Sequence, residues 1–259
     1  YNLGNVFKDT GQFDEAAASY QKAISLNSEY AEAYNNLGIV KKELNQGDEA
    51  VSYHRRAVAL EPENDIFWRG LAETIERFSF TSVDETLCEE LTQLLDHPAV
   101  RASNITRPVL SALRCDAGFS RITGSAGTAL SEEGRGYGDI AVELSEFPLF
   151  LQVMRLSPLH DHEMEETLTA LRRAMLDEVG SGKTVDGSLP FSAALALQCF
   201  TNEYVFSETE EERVAVTELE REVEAHLEKG EDVSPHLVVT LGAYRPLYGF
   251  SWSGDLCDR

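Results

Sequence analysis

Apolar and small residues recur along the first 77 positions with two nested periods. Within each stretch they fall at helical spacing, and the whole pattern returns every 34 residues. Leu3 matches Leu37, Gly4 matches Gly38, Ala16 matches Ala50, and Ala23 matches Ala57. A third copy begins with Trp68, Leu71 and Ala72 and fades after Ile75. Each period predicts a pair of antiparallel helices. The first helix carries a large residue (Tyr34, Trp68) and a Leu-Gly or Leu-Ala pair, whose small member lets the second helix come close. Ala16 and Ala50 supply the same contact from the second helix, and Ala23 and Ala57 face the next pair. Pro62 stands between units, where a helix must stop, and Ser28 takes its place in the preceding copy. One pair cannot bury its own apolar face, so stacking is obligatory.

From Phe78 the period is lost while the helical pattern continues. Val83, Leu87, Leu91, Leu94 and Leu95 predict a helix over residues 83–96. A short helix is expected over 106–114, after a turn at Asn104-Ile105-Thr106. Residues 116–139, with Gly118, Gly124, Gly127, Gly134, Gly136 and Gly138, read as a flexible connection. A buried helix is expected over 147–156. An amphipathic one covers 161–179, with Met164, Leu168, Leu171, Met175 and Val179 on one face. Residues 189–205 read as a mostly buried helix. Ser207-Glu208-Thr209-Glu210 reads as a capping box opening a helix with Val216, Leu219, Val223 and Leu227 on one side. A last helix runs from Ser234-Pro235 to about Tyr244. No stretch alternates as a strand does, so the expected class is all-α, a helical-hairpin solenoid followed by an irregular helical domain. The expected divisions are repeats over 1–77, capping helices and a Gly-rich linker over 78–139, and an acidic helical domain over 140–259.

Charge sharpens that division. The formal net charge is −23, of which residues 1–77 carry 8 Lys+Arg against 13 Asp+Glu and the remainder 14 against 32. Such a field disfavours nucleic acid and anionic membrane as partners. No stretch reaches the ~18–20 apolar residues of a membrane span. Four scattered cysteines without a C-x-x-C pair read as free thiols in a reducing, cytoplasmic setting. The chain opens at Tyr1 with no secretory leader, so the Asn104 sequon is set aside. A longer parent protein with at least one further repeat before Tyr1 is the expectation.

Several strings resemble chemical motifs without completing them. Gly180-Ser181-Gly182-Lys183-Thr184 lacks the leading Gly of a phosphate loop, since Asp177 stands there, and a helix precedes it. His160-Asp161-His162-Glu163 has metal-ligand residue types at spacings that do not converge on one ion, and a helix cap is expected. Gly134-Arg135-Gly136-Tyr137-Gly138 does not complete a dinucleotide fingerprint. No G-x-S-x-G occurs. No catalytic, cofactor-binding or metal residue is therefore assigned, and no cofactor is expected. Asn202, Glu203 and Tyr204 are polar groups inside an apolar helix, read either as a buried network or as a substrate-facing patch. An enzymatic alternative would draw on His160, His162, Glu203 or Tyr204 within residues 160–248.

The 34-residue pattern resembles the tetratricopeptide repeat family. That resemblance implies a concave groove, lined by the first helices, that binds a protein or peptide. By position the groove residues are Asn2, Asn5, Lys8, Glu32, Asn35, Asn36, Ile39, Lys42, Ile66, Arg69 and Glu73. Asn2 and Asn36, one period apart, resemble the asparagine ladder of the O-linked N-acetylglucosamine transferase superhelix, which implies a grip on peptide backbone and a third reading as the recognition arm of such an enzyme. Asn5 and Asn36 match the two asparagines of the chaperone-binding carboxylate clamp. Tyr1, Ile66 and Gly70 stand where its basic residues belong, so a clamp is not expected. Residues 194–206 (Ala-Leu-Ala-Leu-Gln-Cys-Phe-Thr-Asn-Glu-Tyr-Val-Phe) and Tyr244-Arg245-Pro246-Leu247-Tyr248 resemble a helical region of bacterial repeat-containing S-adenosylmethionine-dependent methyltransferases. That likeness implies a noncatalytic segment whose methyltransferase domain lies beyond Arg259.

Overall fold

The computed structural model describes residues 1–124, 135–201 and 208–247, and within them the regular elements are helices, with no strand. The chain divides into two compact units, Tyr1–Ala112 and Leu113–Arg259. The division falls inside the segment read as capping helices and linker, so residues 78–112 join the repeats and residues 113–139 join the second unit.

The first unit contains α1 (Asn2–Asp9), α2 (Phe13–Leu26), α3 (Ala31–Glu43), α4 (Gly47–Leu60), α5 (Asp65–Ile75), α6 (Glu85–Asp96) and most of α7 (Ala102–Leu113). Consecutive helices from α1 to α5 pack on one another, and α3 also packs on α5. Ala16, Tyr20, Ala33, Leu37, Ala50 and Ala57 are fully buried, so the small residues sit where the helices touch. A Cβ on Gly4 would lie 2.7 Å from the Tyr20 ring, and one on Gly38 would lie 2.7 Å from the His54 ring. The third pair explains why the period fades. Thr10–Gln12 and Leu44–Gln46 join the helices of the first two pairs, whereas residues 76–84 join α5 to α6. The longer connection shifts the second helix out of register while helix formation persists. Asp84 caps α6 by accepting from the Leu87 amide. α7 begins at Ala102, earlier than expected: Ile105 is wholly buried and extends the apolar face backwards through the presumed turn.

The second unit contains α8 (Ala117–Thr123), α9 (Tyr137–Ser145), α10 (Pro148–Leu156), α11 (His162–Gly180), α12 (Leu189–Thr201), α13 (Glu210–Lys229) and α14 (Pro235–Gly242). The expectation of a flexible connection over 116–139 is corrected at both ends. Asp116 caps α8, whose Phe119 and Ile122 are buried. At the other end, Tyr137 and Gly138 open α9 and donate their amides to the two carboxylate oxygens of Glu178 (2.8 and 3.0 Å). The glycines there allow close approach, since a Cβ on Gly138 would collide with Val185 and one on Gly136 with Glu178. Residues 125–134 of that reading lie outside the described residues. The capping box of α13 is formed by Thr209 with Glu212, two positions later than the Ser207 start read from the sequence. Met164, Leu168, Leu171, Met175 and Val179 of α11 are buried together with Phe150, Phe191, Leu195, Val216 and Leu241. Among the described residues no helix is long and apolar enough to cross a membrane.

Candidate functional site

The positions assigned to the groove lie on α1, α3 and α5. Asn2, Glu32, Ile66, Arg69 and Glu73 are exposed, while Asn5, Lys8, Asn36, Ile39 and Lys42 are half-buried. Asn35 is a correction. It is buried, and its Oδ1 lies 3.2 Å from Nδ1 of His54, so it serves the packing of α3 on α4 and is withdrawn from a ligand.

The remaining polar groups are held in a defined arrangement. The Tyr20 hydroxyl donates to Asn5 Oδ1 (2.7 Å), and Asn36 Nδ2 donates to the Tyr1 hydroxyl (3.0 Å) and to Asn5 Oδ1 (3.3 Å). Burial, then the neighbouring Tyr1 and Asp9, push the Tyr20 phenol up to about 12, which keeps its hydroxyl a donor. Asn5 Oδ1 is therefore committed to two donors. Asn5 Nδ2 and Asn36 Oδ1 have no protein partner among the described residues. One amide N–H donor and one amide oxygen acceptor thus remain on two hydrogen-bonded asparagines, the group types that an acceptor and a donor of a peptide unit need. The asparagines brought together are thus Asn5 and Asn36, whereas the one-period pair Asn2 and Asn36 is not linked by a hydrogen bond. Further along, Lys42 Nζ lies 3.5 Å from Glu73 Oε2 and ties α3 to α5.

Sequence reasoning missed Tyr1 and Tyr20 as the groups that orient Asn5 and Asn36, and His54 as the partner of Asn35. The signal lay in the period, which sets Tyr1 against Asn35 and Tyr20 against His54. An aromatic pair in one copy (ring centroids 5.9 Å apart) becomes a polar pair in the next. His54 is wholly buried, and its Nε2 has no hydrogen-bond partner. Burial first, and the Lys42 ammonium second, push it down to about 4, so the ring is neutral at pH 7.

The second unit gathers charge in its interior. Glu212 Oε1 accepts from the Tyr244 hydroxyl (2.9 Å) and lies 3.4 Å from Arg172 NH2, while its Oε2 accepts from the Thr209 amide (2.7 Å) and Arg173 Nε (3.2 Å). The Arg172 guanidinium stacks on the Tyr244 ring at 4.3 Å. Burial works to raise the Glu212 carboxyl. The Thr209 amide, the Tyr244 hydroxyl and the two guanidinia outweigh it, and the carboxyl titrates below its ordinary value. Cys199 is buried and its thiol is pushed up to about 12, chiefly by burial, so it is not poised as a nucleophile.

The motif-like strings have local roles. Asp161 accepts both Arg114 NH groups (2.6 and 3.1 Å) and caps α11 at the Met164 amide. His162 is exposed and lies 3.3 Å from Glu166, and His160 is exposed. The amides of Ser181, Gly182 and Lys183 donate to α11 carbonyls at Asp177, Val179 and Glu178, so they fold back on the helix end and do not form a phosphate cradle. Asn202, Glu203 and Tyr204 lie outside the described residues.

With this geometry in view, comparison with known families gives two matches. Residues 4–45 match a family model described as TPR repeat, and residues 31–60 match one described as Tetratricopeptide repeat. Both matches fall on α1 to α4. No curated protein matches this chain.

Proposed function

We propose, taking tetratricopeptide repeats in the first unit as the premise, that this chain is a protein- or peptide-binding scaffold whose ligand lies along α1, α3 and α5. The amide pair of Asn5 and Asn36 carries the reading. Its orientation is fixed by Tyr1 and Tyr20, and it offers a donor and an acceptor that need no particular side chain on the ligand. Lys8 and Arg69 on the same helices favour acidic residues beside the gripped backbone, and Ile39 and Ile66 offer apolar contacts.

The test is selection of binders from a displayed random-peptide library on the full chain, followed by calorimetric titration of a selected peptide. Asn36→Ala should weaken that peptide by about 3–10-fold, the value of one or two hydrogen bonds. The variant also loses the Asn36 hydrogen bonds to Tyr1 and Asn5, so the titration is run well below its own melting temperature. Equal affinity for Asn36→Ala would remove the groove from the account.

The likeness of residues 194–206 and 244–248 to the helical part of repeat-containing methyltransferases extends this reading. On it, the scaffold would raise the local concentration of a target near a methyltransferase domain of the parent chain. The natural gene decides the point. A strand followed by an acidic-Gly-x-Gly turn downstream would support it, and a different downstream domain would end it.

A further inference from the structure

The first unit also holds a cavity of about 630 Å³ that shares none of the groove positions except by neighbourhood on α5. It is a product of the long connection between α5 and α6, which carries Phe80 into the space beside α4. Val58, Pro62, Trp68, Leu71, Phe80 and Leu87 supply its apolar wall. Trp68 is held in place: its indole N–H donates to the Pro62 carbonyl (2.7 Å), and its ring stacks on His97 at 4.7 Å. The size lies within the range of small-ligand and side-chain pockets.

The charge around it is predominantly negative. Asp84, Glu89 and Glu90 border the cavity with a single cation, Arg55. Glu90 takes that guanidinium in two hydrogen bonds (2.6 and 2.5 Å). Asp84 and Glu89 are then left as net negative charge beside an apolar wall. An anionic ligand is repelled there, and so is a second copy of a chain with net charge −23.

We propose that this cavity is a second docking site, for a peptide segment that seats one bulky apolar side chain against Trp68, Leu71 and Phe80 and sets a neighbouring Lys or Arg against Asp84 and Glu89. The site stands independently of the groove reading, because no groove asparagine takes part.

The full chain, labelled with ¹⁵N at its two tryptophans, provides the test. Trp68→Phe identifies the Trp68 indole signal. Three capped hexapeptides are titrated: Gly-Ser-Phe-Lys-Lys-Gly, the same with both lysines replaced by glutamate, and the same with phenylalanine replaced by serine. The first should move the Trp68 signal saturably, and the other two should bind at least about 10-fold more weakly, a loss of one strong contact. Glu89→Lys should weaken the lysine peptide by a similar factor while the free-state Trp68 signal shows the fold intact, and Asn36→Ala should leave it unchanged. No saturable shift at millimolar peptide, equal response to the lysine and glutamate peptides, or indifference to Glu89→Lys would each overturn the proposal.

Discussion

The two units solve the same problem, joining helices tightly, with different chemistry. In the first, a glycine or alanine on one helix receives a ring from another: Gly4 receives Tyr20, and Gly38 receives His54. In the second, Glu212 is shared by Arg172, Arg173, Tyr244 and the Thr209 amide, and so joins α11 and α13 to the turn that follows α14. The first arrangement is local and repeats, so it leaves a period in the sequence. The second joins residues dozens of positions apart and leaves none. It also concentrates stability in one carboxylate, whereas the repeats spread theirs over many small contacts.

The largest effect is therefore expected at Glu212. Glu212→Ala removes the carboxylate that two guanidinia and a phenol share in the interior, and it also deletes half of the capping box of α13. Breaking a buried ion pair from one side costs about 3–5 kcal/mol. Urea unfolding followed by hydrogen exchange should show that loss on the amides of α11, α13 and α14. A change below about 1 kcal/mol would mean that the cluster is incidental to the unit.

Acid should separate the two units. His54 has an ordinary value of 6.5 and sits near 4 when folded. The unfolded chain thus takes up a proton below about 6.5 that the folded protein refuses until about 4. Stability falls as pH drops through that window, is fully present above it, and the total is at most about 3–4 kcal/mol. Glu212 is shifted down, so its contribution is present above the ordinary carboxylate range and is lost only as pH falls through its lower folded value. Exchange protection in α3, α4 and α5 should decline between pH 6.5 and 4, before that in α11 and α13. His54→Phe should abolish the earlier decline. If the order is reversed, His54 is not the acid-sensitive joint.

This contrast also explains what could be read from sequence. Helix existence was legible because apolar residues recur at helical spacing in both units, as on α11. Groove membership was less so. Asn35 occupies a groove position by period, yet the His at 54 turns it inward, and that depends on which residue replaces an aromatic ring in the neighbouring helix. The Gly-rich string before α9 reads as a linker because glycine is the commonest loop signal. Two of its glycines, Gly136 and Gly138, let Glu178 and Val185 approach, and those contacts lie more than forty positions away in sequence. The cavity at Trp68 was not legible at all, since it follows from an insertion in the third copy that erases the period just where the cavity forms.

Gly38→Ala offers the smallest but most discriminating test. The added methyl would lie 2.7 Å from Nε2, 2.8 Å from Cδ2 and 2.9 Å from Cε1 of His54, inside any acceptable contact. The ring is enclosed, so it cannot swing clear, and overpacking of this kind costs about 1–3 kcal/mol. Against this, alanine is the better helix former by roughly 0.8–1.0 kcal/mol, so the net loss is the difference between the two. The third copy carries Ala72 at the equivalent position, which shows that the helix itself tolerates a methyl there. The cost should therefore depend on the ring. In a double-mutant cycle with His54→Ser, the penalty of Gly38→Ala should disappear, with a coupling of about 1–3 kcal/mol by chemical denaturation. Additive losses would mean that glycine at 38 serves the backbone of α3, and that the ring-into-glycine joint does not distinguish the repeats from the charged interior of the second unit.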